Sequence, residues 1–101
     1  MKNVEINSEK MLEFCAKKLK IFGHPDRIKM LSFIKKGNVC VKDLWEYLGQ
    51  PQPVISQHLA VLKEGGIVTS KVKANRRVYS IIDPFVSEII PIVEAYSGNK
   101  K

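Results

Sequence analysis

At Gly65-Gly66 the spacing of apolar residues changes. Upstream they recur every three or four positions, the period of a helix. Downstream, Ile67 to Val72 and Arg77 to Ile82 are rich in Val, Ile, Thr and Tyr and read as two strands. A chain with one such switch holds a set of helices and then a single hairpin. The 101 residues give room for one core and one domain, spanning 1–101.

Each helix has its own start and stop. Asn7 or Ser8 can cap the first, whose apolar face is Leu12, Cys15, Leu19 and Phe22, and Gly23 stops it. Pro25 opens the second, with Ile28, Leu31 and Ile34 inward, and Gly37-Asn38 ends it. The third, about Lys42 to Leu48, buries Leu44 and Leu48 and closes at Gly49. The fourth opens at Pro53 with Gln52 as its cap, turns Val54, Ile55, Leu59 and Leu62 inward, and ends at the glycine pair. In the link Lys73-Ala74-Asn75-Arg76, Asn75 can take a positive φ. Asp83 caps a last helix before Pro84, with a stripe of Phe85, Ile89, Ile92, Val93 and Tyr96. Pro91 should kink that helix or start it afresh. The order is four helices, a hairpin and a helix: mainly α with a small β-hairpin. The third and fourth helices form a helix-turn-helix at about 42–64, and the hairpin at about 67–82 forms a wing, so the expected architecture is a winged helix-turn-helix.

Charge narrows the partner. Seventeen Lys and Arg against ten Asp and Glu give +7, an excess that suits a polyanion or serves solubility alone. No apolar run approaches the roughly 20 residues that span a bilayer, and MKNVEINSEK has no apolar leader, so the expectation is a cytoplasmic protein without a membrane partner. No Gly-rich phosphate loop, paired carboxylates or Ser/His/Asp set is present, which argues against an enzyme. Two cysteines make no disulfide framework in that compartment.

The second helix of a helix-turn-helix reads base edges with its N-terminal residues. With Leu59 and Leu62 inward, the outer face carries Gln52, Pro53, Ser56, Gln57, Ala60 and Lys63. Gln and Ser both donate and accept, and Ala60 is small enough to let the helix sink into a groove. A solvated surface would also look polar. The wing adds weight, because Lys71, Lys73, Arg76 and Arg77 carry four positive charges with no acid among them. His58 sits at the edge of this face as a packing histidine, since Val54 and Leu62 offer it no second metal ligand. Lys17-Lys18 with Lys20, and Lys35-Lys36, read as solvated faces. A winged-helix module that binds protein instead of DNA is the alternative.

The segments "GHPDRIKMLSFI", "VCVKDLWEYLGQPQPVISQHLAVLKEGGIV" and "VKANRRVYSIID" together resemble the ArsR/SmtB family of winged-helix repressors, over roughly Leu19 to Asp83. The resemblance implies a homodimer through the first and last helices. It also implies an imperfectly palindromic operator in double-stranded DNA and repression relieved by a small inducer. Carried over by position, the base-reading residues are Gln52, Pro53, Ser56 and Gln57, with Pro53 standing where many members have a polar residue. Wing contacts fall on Lys73, Arg76 and Arg77. Two recognition helices would lie about 34 Å apart, one DNA turn.

Most members of that family sense a metal. Their last-helix pattern, Asp-x-His-x10-His-x2-Glu, falls here on Asp83, Phe85, Tyr96 and Asn99, so three of its four ligands are missing. Their Cys-Val-Cys falls on Cys40-Val41-Lys42, which keeps one thiol. The candidate sensor thiols are therefore Cys15 and Cys40, holding a thiophilic metal ion or answering a redox or sulfur signal. Lys42 and a helix start lie beside Cys40, a setting that favours a reactive thiol. Without such a signal, Cys15 is core, Cys40 is a small half-buried residue, and the chain is a DNA-binding regulator with no inducer site.

Overall fold

A computed structural model describes residues 8–98. Asn7 and Asn99 lie outside that range. Eight elements follow in order: α1 (Glu9–Phe22), α2 (Pro25–Ile34), β1 (Val39–Cys40), α3 (Val41–Leu48), α4 (Gln52–Glu64), β2 (Val68–Lys73), β3 (Arg76–Ile81) and α5 (Pro84–Ser97). Ser8 caps α1 by accepting from the Met11 amide at 3.1 Å, and Asp83 caps α5 by accepting from the Phe85 amide at 2.9 Å.

One core joins every helix to the sheet. Met30, Leu31 and Ile34 of α2, Leu44 of α3, Ile55, Leu59 and Leu62 of α4, and Val86 and Ile90 of α5 are buried together with Val68 and Tyr79 of the ribbon. Burying each large aliphatic side chain contributes roughly 1.5–3 kcal/mol. That outweighs what the start of α4 lacks: its cap position is Pro51, not Gln52, and it makes no side-chain capping bond. Packing, not the cap, therefore places this helix.

The sheet is antiparallel in the order β1-β3-β2. Both hairpin strands lie one residue nearer the turn than the alternation suggests, β2 starting at Val68 because Ile67 ends the α4 C-cap by donating its amide to the Leu62 carbonyl at 2.9 Å. The short strand β1 was not expected: Val39 pairs with Tyr79 and Cys40 with Val78, and two residues carry no period to read. The hairpin turn holds both Ala74 (φ 49°) and Asn75 (φ 67°) at positive φ. That is the conformation a two-residue turn needs to match strand twist.

Two readings of helix faces change. In α5 the fully buried positions are Val86 and Ile90; of the expected stripe, Ile89 and Val93 pack half-buried against the core and Phe85 is half-buried, while Ile92 is 59% and Tyr96 84% exposed. In α1 only Phe22 of the expected face is buried, and Leu12 and Leu19 are about half exposed. Pro91 neither ends nor restarts α5, which runs unbroken from Pro84 to Ser97 with Pro91 on its exposed side.

Candidate nucleic-acid interface

Helix α3 stops at Gly49, whose φ of 70° is the left-handed cap that glycine reaches without strain. Gln50 and Pro51 carry the chain into α4. Ile55, Leu59 and Leu62 anchor α4, and the 3.6-residue period then turns Gln52, Pro53, Ser56, Gln57, Ala60 and Lys63 outward, all of them exposed. This is the uncharged outer face expected from the sequence, with Lys63 at its far end.

The wing is less free than its charge suggests. Strand alternation sends its two adjacent arginines to opposite faces of the ribbon. Arg77 shares a face with Tyr79 and donates to Ser70 Oγ at 3.2 Å. Tyr79 in turn lines a groove with Ser56, Leu59, Ala60 and Lys63 of α4. Arg76 takes the other face, where Nη2 lies 3.3 Å from Asp43 Oδ2 and 3.2 Å from Cys40 Sγ. Lys73, opposite Arg76, donates to Asn38 Oδ1 at 3.1 Å. The anion needed by a tip of like charges is thus partly supplied by Asp43, thirty-three residues away in sequence. Asp43 also accepts from the Cys40 amide at 3.0 Å. Those Cys40 bonds, more than the charges of Arg76 and Lys42, hold its carboxyl below the ordinary carboxylate range. Neither Asp43 nor Tyr79 stands out in the sequence, because each reaches the wing or α4 only through the fold.

The candidate thiols are placed differently. Cys15 is half-buried on α1. Cys40 is the N-cap residue of α3, with Asp43 Oδ2 3.3 Å from its sulfur and Arg76 on the same atom.

Two of the lysine runs are not simply solvated. Lys18 Nζ lies 2.6 Å from the buried Asp83 carboxylate, tying α1 to the start of α5. Lys35 Nζ lies 2.6 Å from Glu94, which also accepts from Ser32.

His58 has ligand-type neighbours after all, but they come from α2. Among the described residues, His24, Asp26 and His58 form the one group of three such side chains, their ligand atoms within 4.8 Å of one another. The hydrogen bonds oppose metal binding there. The Asp26 amide donates to His24 Nδ1 at 3.2 Å and Arg27 Nε donates to His58 Nδ1 at 3.3 Å. A neutral imidazole has one bare nitrogen, and on both rings that nitrogen is occupied by an obligatory donor. Asp26 accepts from Gln50 Nε2 at 2.8 Å.

Residues 24–70 match the pattern of the bacterial regulatory proteins of the arsR family. An uncharacterised HTH-type transcriptional regulator of Methanocaldococcus jannaschii is 39% identical over 83 residues, covering 81% of this chain and 93% of that protein. The arsenical resistance operon repressor of Staphylococcus xylosus is 30% identical over 71 residues, covering 70% of this chain and 68% of the repressor.

The chain belongs to the ArsR family.

Its fold agrees with that of solved ArsR-type regulators. The crystal structure of the transcriptional repressor BigR from Xylella fastidiosa superposes with a TM-score of 0.79 at 26% identity, covering 92% of this chain and 93% of BigR. These relatives are transcriptional regulators, which sets the enzyme class aside for this ArsR-family chain. Among the described residues no helix is long and apolar enough to cross a membrane.

Proposed function

We propose that this ArsR-family chain is a homodimeric repressor that reads an imperfectly palindromic operator through the start of α4. The observation that carries the reading is the exposed, uncharged outer face of the start of α4, Gln52, Pro53, Ser56 and Gln57, with Lys63 further along the same face. Gln52, Ser56 and Gln57 take base edges, Pro53 fixes the first turn, and Lys63, Lys73, Arg76 and Arg77 take phosphates. The homodimer is supported by the apolar side chains that α1 and α5 leave exposed, Met11, Leu12, Phe14 and Leu19 beside Ile92 and Tyr96.

The inducing signal, on the same reading, acts through the thiols Cys15 and Cys40, and Cys40 is the better placed because its sulfur touches a wing arginine. A resident thiophilic metal does not fit Cys40. Such a metal takes three or four thiolate or imidazole ligands, while the neighbours of this sulfur are a carboxylate and a guanidinium. Modification of the thiol by an oxidant or a sulfane-sulfur donor fits, since either would change what Arg76 faces.

The test is a gel shift with the DNA upstream of the protein's own coding sequence. Binding should be salt-sensitive, and Arg76→Ala/Arg77→Ala should weaken all duplexes alike, lowering the salt slope by about one per lost phosphate contact. No band at micromolar protein would sink the repressor reading. Repeating the shift on wild type, Cys15→Ser and Cys40→Ser with oxidant, sulfane sulfur, As(III), Cd(II) and Zn(II) tests the signal. If none of these changes affinity, the thiol reading fails.

A further inference from the structure

We propose that His58 is a positioning residue: as a neutral ring held by Arg27 it docks the recognition helix α4 onto the start of α2, and its protonation loosens sequence-specific DNA binding. The inference rests on the DNA-binding reading above.

Four segments meet at this ring. Arg27 Nε donates to His58 Nδ1 at 3.3 Å, while Arg27 Nη1 donates to the Ile21 carbonyl at 3.2 Å, fastening the same guanidinium to the end of α1. The His24 ring, which caps α2, packs edge-on against His58 with centroids 4.7 Å apart. Asp26 Oδ2 lies 4.0 Å from His58 Nε2 and accepts from Gln50, which belongs to the turn between α3 and α4. The His58 side chain is only 12% exposed, so these neighbours rather than water define its position. Gln57, the central base-reading candidate, is the adjacent residue on the same helix. A small rotation of α4 at His58 therefore moves the reading face directly.

The proton inventory makes the contact conditional. Arginine can only donate, so Nδ1 must be bare, and the single ring proton sits on Nε2 facing Asp26. A second proton would have to go on Nδ1, directly against the Arg27 N–H. Donor would then face donor and cation would face cation. The groups around the ring are His24, Asp26 and Arg27 from α2 and Gln50 from the turn, and only Asp26 favours the charged form. Burial first, then His24 and Arg27, hold the His58 pKa below its ordinary 6.5. A histidine lowered in the folded state is neutral, and its contact complete, above the ordinary value. The contact is lost as pH falls through the lower folded value.

The experiment uses the full chain and two duplexes: the best binder that wild type selects from a random pool, and a scrambled version of it. Affinity for both is measured from about pH 8 down to about pH 5 at fixed salt. The selected-to-scrambled ratio of wild type should fall about tenfold over that range, the size of one lost base contact. In His58→Gln the amide oxygen can still accept from Arg27 but cannot titrate, so its ratio should stay high and flat. His58→Ala should have a low ratio at every pH while binding the scrambled duplex as wild type does. The inference is overturned if His58→Gln falls with pH as wild type does, or if His58→Ala weakens both duplexes alike. Should His58→Ala fail to fold, the glutamine variant alone decides. If wild type binds neither duplex, the DNA-binding reading fails and this inference fails with it.

Discussion

Asp43 shows how one side chain sets the charge that a wing presents. It is the acceptor for the Cys40 amide at the start of α3 and the counter-ion of Arg76. Both groups of that ion pair are partly exposed, so the pair is weak and a DNA phosphate can compete for the guanidinium. Asp43→Asn keeps an oxygen for the Cys40 amide and removes the competing charge. It should raise affinity for specific and scrambled duplexes alike, by about two- to fivefold at low salt, with the gain shrinking as salt rises. A gain confined to one sequence would mean that Arg76 reads bases. The acids around the wing were invisible in the sequence because the local run from Lys71 to Arg77 has none. The outer face of α4, by contrast, was legible residue by residue, since fixing Leu59 and Leu62 inward leaves the helix no freedom to point Ser56 or Gln57 elsewhere.

At the scale of elements, the hairpin and α5 each carry a testable weakness. Ala74 holds a positive φ that a β-carbon disfavours, and Asn accepts it more readily. Ala74→Asn should stabilise the fold by about 0.5–1 kcal/mol in urea unfolding without changing the slope of the transition. An unchanged or lowered midpoint would count against strain at this turn. Helix α5 is clasped to α2 by Glu94, whose carboxyl is held below its ordinary 4.5 by Lys35 first and then Ser32. A lowered carboxyl stabilises above its ordinary value and loses that contribution as pH falls through the folded value. Wild type should therefore melt higher than Glu94→Gln at neutral pH, and the gap should close in acid below pH 4.5. A gap that persists there would assign the effect to packing. Most helix boundaries and the hairpin were readable because glycines, prolines and Asp83 mark them locally, whereas the cap of α4 fell on Pro51 and not on Gln52. The two-residue β1 and the inward turn of Val86 and Ile90 were not readable. The first has no periodicity, and α5 is apolar on more than one side, so its pattern alone does not choose which side meets the core.

For the whole molecule, the second apolar side of α5 and its neighbour α1 form the surface that remains. Lys18 and Asp83 lock these two helices together. Leu19→Glu combined with Ile92→Glu should give a monomer in sedimentation that still folds, because both positions are exposed in the single chain. Operator affinity should drop by at least about a hundredfold, since two half-sites bound by one body gain from effective concentration. A double variant that sediments as a dimer would place the interface elsewhere.

The short strand β1 has a mechanical meaning. It pairs with β3 along the inner edge of the hairpin and continues without a break into α3, so the hairpin is a cantilever whose fixed end is the cap of a helix. Load applied at the tip, around Ala74 and Asn75, is carried along β3 to Val78 and across to Cys40. The sulfur sits at the fulcrum of that beam.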